Sequence, residues 1–313
     1  MENKTSINNF VLSGVPKDPQ LRTFLFFVFL IIYLITLLGN MLIMLVIKTD
    51  PHLHTPMYFF LFHLSILDIC YSSITLPNML KIFLTDEKTI SFNGCLVQMY
   101  FILLTGCTEI FMLSAMAYDR YAAICHPLHY ATTMNLHVCS QLVGGAWSIS
   151  FIYSLVNTVP VSYLQFCGPN QVSGFSCELP SLLDLSCTET LINEIVFTSS
   201  AAILGLIAFP PTLISYVRII STILWMRSVE SRRKAFSTCS SHLIVVTLYY
   251  GTALFRYLRP NSASSVVLDR VLPIQYGILT PMLNPLIYSL KNKEVKTALR
   301  SMLGGKSFIP RVI

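Results

Sequence analysis

Residues 23–47, TFLFFVFLIIYLITLLGNMLIMLVI, run for 25 positions without a charged side chain. About 20 such residues suffice for a helix to cross the hydrocarbon of a bilayer. Six further apolar stretches lie near 57–80, 96–119, 139–160, 195–224, 236–258 and 268–289. The second, third and seventh are less pure, because they carry Asp68, Glu109 and several prolines. The chain is 54% hydrophobic and 12% charged, and soluble domains usually carry about twice that charged fraction. The expectation is an all-α membrane protein, a seven-transmembrane helix bundle over 23–290. Residues 1–22 precede it and 291–313 follow it. No soluble linker and no internal repeat interrupts the pattern.

Seven spans put the two ends on opposite sides, and charge chooses which is which. With the N-terminus outside, the inner segments hold thirteen basic residues against four acidic ones, and the outer segments hold eight against nine. The excess of Lys and Arg inside predicts an extracellular N-terminus. Arg256, Arg259 and Arg270 in the last outer loop run against that trend. Residues 1–22 lack a basic start followed by an apolar run, so no cleavable signal peptide is expected. Asn3-Lys4-Thr5 is the only glycosylation sequon, and an outward N-terminus would make Asn3 an acceptor.

Several polar groups stand out against this background. Asp119 and Arg120, in MAYDRYAAICHPLHY (116–130), fall at the inner end of the third span. They read either as an interfacial anchor or as a switch, since arginine offers a fixed fork of donors and keeps its charge. Asp68 and Glu109 lie at membrane depth, with Asn40 and Asn284 expected near them. Two carboxylates so placed would either hold a sodium-like cation or share a proton. Asn284-Pro285-x-x-Tyr288 removes a backbone donor from the seventh helix, which makes either a hinge or a simple kink. Residues 291–303 put Val295, Ala298, Leu299 and Met302 on one face and basic residues on the other, as a short amphipathic cytoplasmic helix lying on membrane lipid would. Of nine cysteines, Cys95, Cys167, Cys177 and Cys187 fall on the oxidising outer side, and four cysteines permit three connectivities. No zinc-type spacing or phosphate loop occurs, and no Ser-His-Asp order stands out, so neither an enzyme nor a nucleic-acid binder is expected. A transporter or channel is the alternative, although transporters tend to show repeats and paired broken helices.

Taken together, these motifs resemble the olfactory receptors of the tetrapod-type class, a branch of the rhodopsin-like G-protein-coupled receptors. MAYDRYAAICHPLHY carries the resemblance first. Gly39-Asn40, LHTPMYFFLFHLSILD (53–68), Ser215-Tyr216, KAFSTCSSHLIVV (234–246) and PMLNPLIYSLKN (281–292) extend it in the family's order over most of the chain. Ala122, Phe62-His63 and Lys291 depart from the usual residues.

The resemblance implies the disulfide pairs Cys95–Cys177 and Cys167–Cys187. It implies a coupling switch of Asp119, Arg120, Tyr121, Tyr216, Asn284, Pro285 and Tyr288, with both Tyr216 and Tyr288 swinging toward Arg120 on activation. It places an odorant cavity among the third, fifth, sixth and seventh helices, where Ser200, Ala201, Leu204, Ala253, Leu254, Tyr257, Ile274 and Gly277 lie. On the third helix Ile102, Leu103, Gly106 and Cys107 recur at helical spacing in the outer half, where they serve either ligand contact or helix packing. Apart from Tyr257 and Ser200 the set is nearly all apolar, so a small, neutral, volatile odorant is expected. The implied partner is a heterotrimeric G protein of the stimulatory olfactory type, raising cyclic AMP at the plasma membrane. No cofactor is expected beyond the candidate sodium.

Overall fold

The computed structural model describes residues 9–14, 16, 18–85, 87–167, 170–172, 174–258 and 275–303. Within these, side chains 234, 238, 253–258, 275, 276, 289–291, 293 and 303 lie outside the description.

The apolar runs become long helices: α1 Pro19–Thr49, α2 Pro56–Thr85, α3 Phe92–Cys125, α4 Leu136–Thr158, α5 Leu191–Trp225, α6 Val229–Leu258 and α7 Thr280–Lys291. A π-helical turn, Gln275–Leu279, leads into α7, and the short α8, Lys293–Leu303, follows it. Among the described residues, α1 to α5 are each long and apolar enough to cross a membrane. Their outward faces carry large apolar side chains such as Phe24, Leu38, Leu206 and Ile214. In water that surface would be an aggregation hazard; in lipid it is the required solvent contact. The molecule is a helical membrane bundle. Three of the helices start at a polar cap. Asp18 accepts from the Gln20 amide to start α1, Ser91 from the Gly94 amide to start α3, and Asn135 from the Val138 amide to start α4.

Two packing details show why particular residues sit in α1. Pro285 has no N–H to give to the carbonyl of Pro281, one turn back. The Asn40 amide donates to that carbonyl instead, at 3.2 Å. At Gly39 a Cβ would lie 3.0 Å from the Pro285 ring, so the absence of a side chain lets α7 approach α1. The Gly39-Asn40 pair thus accommodates the proline of the seventh helix.

The disulfide-bearing end holds structure that helical periodicity did not anticipate. Asn9–Leu12 forms strand β1, the middle strand of a small sheet. It pairs antiparallel with β2, Thr89–Ser91, and parallel with β3, Gln171–Val172. Phe10 and Leu12 are fully buried. Phe10 packs edge-on against Phe166, with ring centres 5.3 Å apart, and Phe92 completes the cluster. Residues 9–12 are therefore built into the capped end of the bundle.

Candidate functional site

Both bridges that the resemblance implied are present, Cys95–Cys177 and Cys167–Cys187. The first ties α3 to the loop after α4. Beside it, Gln98 donates to the Ile74 carbonyl and accepts from the Cys177 amide, so one side chain joins α2, α3 and the loop.

At the opposite end, Arg120 and Asp119 are both buried. Arg120 Nε donates to Asp119 Oδ2 at 2.9 Å, and Nη2 donates to the same oxygen. The other carboxylate oxygen accepts from the Tyr130 hydroxyl at 2.7 Å. Tyr130 opens a single helical turn, Tyr130–Thr133, in the loop between α3 and α4. The Tyr130 phenol sits above its ordinary range, because burial and the neighbouring Asp119 carboxylate both oppose its ionisation. It therefore remains a donor at any physiological pH. Tyr121 points elsewhere, toward His126 Nε2 at 2.9 Å.

Tyr216 on α5 is buried, and its hydroxyl lies 2.5 Å from His242 Nδ1 on α6. The two rings stack with centres 5.9 Å apart. Among the described residues, His242 Nε2 and the Tyr288 hydroxyl are buried without hydrogen-bond partners. Neither tyrosine is hydrogen-bonded to Arg120 in this arrangement; Tyr216 is engaged by His242. Tyr58 on α2 donates to Asn292 at 3.1 Å and to Glu294 at 2.7 Å, tying α2 to the start of α8.

At mid-depth, the Asn284 amide donates to both oxygens of Asp68 at 3.0 Å. Asp68 and Glu109 are buried and near enough to interact electrostatically. Glu109 Oε1, Asn284 Oδ1, Asn40 Oδ1 and Ser65 Oγ have no partner among the described residues. Oxygens left in this way suit a hard cation, whose preferred ligands are oxygens. It suits a shared proton equally. No cluster of three or more His, Cys, Asp or Glu side chains occurs among the described residues.

In the disulfide-side half, Ile102, Leu103 and Gly106 on α3 and Ala201 and Leu204 on α5 are half-buried. Tyr249 on α6 donates to the Gly106 carbonyl at 3.0 Å. Three of the anticipated cavity residues are used in packing. Cys107 is buried with its thiol toward Ser150 on α4. Gly277 lies against the Tyr71 ring, where a Cβ would fall 2.7 Å from a ring carbon. Ser200 donates its only proton to the Phe197 carbonyl at 3.1 Å and accepts from Asn157 on α4 at 3.3 Å. In this arrangement its proton is used within α5 and its oxygen by α4, where a main hydrogen-bond former for the ligand was expected. The side chains of Ala253, Leu254 and Tyr257, and all of Ile274 and Asn3, lie outside the described residues.

Sequence reasoning gave no role to Tyr130, His242, Tyr58 or Asn157. Tyr130 stood inside the quoted motif. His242 and Asn157 were each a polar residue inside an apolar run, a signal that membrane burial makes informative.

A bundle of membrane-length helices, with a buried arginine–carboxylate pair at one end and a disulfide-tied cap at the other, is the architecture of a membrane receptor of the G-protein-coupled kind. The family model described as olfactory receptor matches residues 29–306. The chain is 46% identical over 301 residues to human olfactory receptor 10A6, covering 96% of each. It is 48% identical over 304 residues to human olfactory receptor 5A1, covering 97% of this chain and 96% of that one. Mouse olfactory receptor 4E2 is 45% identical over 300 residues, covering 96% of both. The chain belongs to the olfactory receptor family. It is a multi-pass membrane receptor of the odorant-sensing class and not an enzyme.

Proposed function

We propose that this receptor sits in the plasma membrane with its N-terminus outside and binds a small, neutral, mostly apolar volatile molecule. It then activates a stimulatory G protein and raises cyclic AMP. What supports the ligand class is that Ile102, Leu103, Gly106, Ala201 and Leu204, the residues assigned to the cavity, are half-buried and carry no charged group. An ammonium ligand would be buried there unpaired. Affinity should be modest: burying a few methylenes at about 0.8 kcal/mol each, less association costs, reaches only the micromolar range. Tyr257 is the donor assigned to an oxygen acceptor on the ligand. The excess of basic residues in the inner segments supports the orientation.

Release of Arg120 from Asp119 would free its donor fork for the G protein once α6 moves outward. Tyr216 and Tyr288 would then turn toward it. The oxygens around Asp68 and Glu109 would hold either sodium or a shared proton in the resting state.

The test is expression with the stimulatory olfactory G protein and a panel of volatiles, read by cyclic AMP. A response that depends on both odorant and G protein is expected. Tyr257→Phe should right-shift an oxygenated agonist and spare its hydrocarbon analogue. A charged amine as best agonist would overturn the cavity assignment. Ion current without the G protein would overturn the receptor reading.

A further inference from the structure

Across the join between α5 and α6, residues 218–236 hold five basic residues and one acid, Glu230. The first helix ends at Trp225 and the second begins at Val229, so three residues bring the two ends together. Tyr216 and His242, bonded at 2.5 Å, fix the register of these antiparallel helices. Nine residues from that bond toward the join stand Trp225 on α5 and Arg233 on α6, each about 13 Å along its helix. The two therefore lie at one level, with Arg232 beside Arg233 and Arg227 in the join itself. Trp225 is 85% exposed, and Arg218, Arg227, Arg232 and Arg233 are exposed as well. None of these arginines pairs with a carboxylate among the described residues.

The neighbouring side chains identify what meets this surface. Ile214, Val217 and Leu224 on α5 are exposed, as are Val229, Phe236 and Ile244 on α6, whereas Tyr216, Ile219, Cys239 and His242 are buried. Exposed apolar side chains on the outside of a membrane bundle face lipid. An exposed indole at the end of such a stripe marks the boundary between hydrocarbon and headgroups. The arginines at its level then lie among the headgroups, beside the anionic lipid of an inner leaflet. A G protein would instead meet the inward faces around Arg120. Each guanidinium can give two parallel bonds to a phosphate, and three of them stand within the seven residues 227–233. One phosphodiester cannot occupy three forks; a headgroup with several phosphates can. We propose that the outward face at the join of α5 and α6 binds a phosphoinositide of the inner leaflet, with Arg227, Arg232 and Arg233 on its phosphates and Trp225 at the level of its glycerol backbone. This rests on the orientation proposed above, which puts this end of the bundle at the inner leaflet.

The test uses the full-length receptor in nanodiscs of phosphatidylcholine, titrated with short-chain phosphatidylinositol bisphosphate and, separately, with short-chain phosphatidylserine at equal total negative charge. The wild type should bind the phosphoinositide at least about tenfold more tightly, because each further basic contact at an anionic surface is worth about fivefold. Arg232→Gln and Arg233→Gln should each lose about fivefold, and the double variant should lose the preference. Lys296→Gln combined with Arg300→Gln, on α8, should keep it. Arg232 and Arg233 are exposed, so neither change should disturb folding. Equal affinity for the two lipids, or an unchanged preference in the double variant, overturns the proposal. So does loss of G-protein binding by the double variant in phosphatidylcholine alone, which would assign these arginines to the G protein. Both leaflets of a nanodisc are open to the probe, so none of these results depends on orientation. An antibody to an N-terminal tag on intact cells tests that reading separately.

Discussion

The Tyr130 hydroxyl donates to Asp119 at 2.7 Å, so the carboxylate that restrains Arg120 is itself held from the loop between α3 and α4. Both oxygens of Asp119 are thereby committed, one to the arginine and one to the tyrosine. Tyr130→Phe removes one hydrogen bond to a charged acceptor, about 1.5 kcal/mol, or roughly tenfold in the switching equilibrium. Basal cyclic AMP should rise at equal surface expression. A basal level no different from wild type would show that the bond survives activation unchanged.

Arg120→Ala should abolish agonist-driven cyclic AMP while the receptor still reaches the surface. Among the described residues Arg120 bonds Asp119, at the end of the bundle opposite the residues assigned to the cavity, so ligand binding should persist. Full signalling by this variant would refute the switch.

Sodium should lower agonist potency in membranes if the acceptors around Asp68 and Glu109 hold the ion. Glu109→Gln removes one negative charge and should abolish that dependence. Potency in the wild type that is indifferent to sodium, measured against potassium at constant ionic strength, would assign a shared proton instead.

Cys95→Ser and Cys177→Ser should each reduce surface expression to the same extent. Breaking a bridge that spans 82 residues costs about 2–5 kcal/mol, and it can be broken only once. The double variant should match either single one. Additive losses would mean that each thiol has a separate role.

Phe10→Ala should cost about 3–5 kcal/mol, as for other buried aromatics, and impair delivery to the surface. Asn9→Ala is the control, because that residue is exposed and its strand contacts are made by backbone. Equal behaviour of the two variants would show that β1 carries no stability.

The sequence by itself determined the helices and the membrane. A run such as 23–47 has no soluble solution, and lipid leaves its backbone no alternative to a helix. The charges at 119–120 and the prolines at 281 and 285 were legible for the same reason, since each is exceptional against an apolar background. The tertiary structure alone decided which of those groups are free. Pro285 announced a carbonyl without a donor, but only the approach of α1 shows that Asn40 satisfies it. Ser200 and Gly277 looked like cavity residues until Asn157 and Tyr71 were seen beside them. Strand β1 was illegible, because four residues without clear alternation form a strand only when the loops at 89–91 and 171–172 are brought alongside. Periodicity and charge are properties of a segment and can be read along the chain. Hydrogen-bond satisfaction belongs to pairs far apart in sequence, and only folding places the second partner.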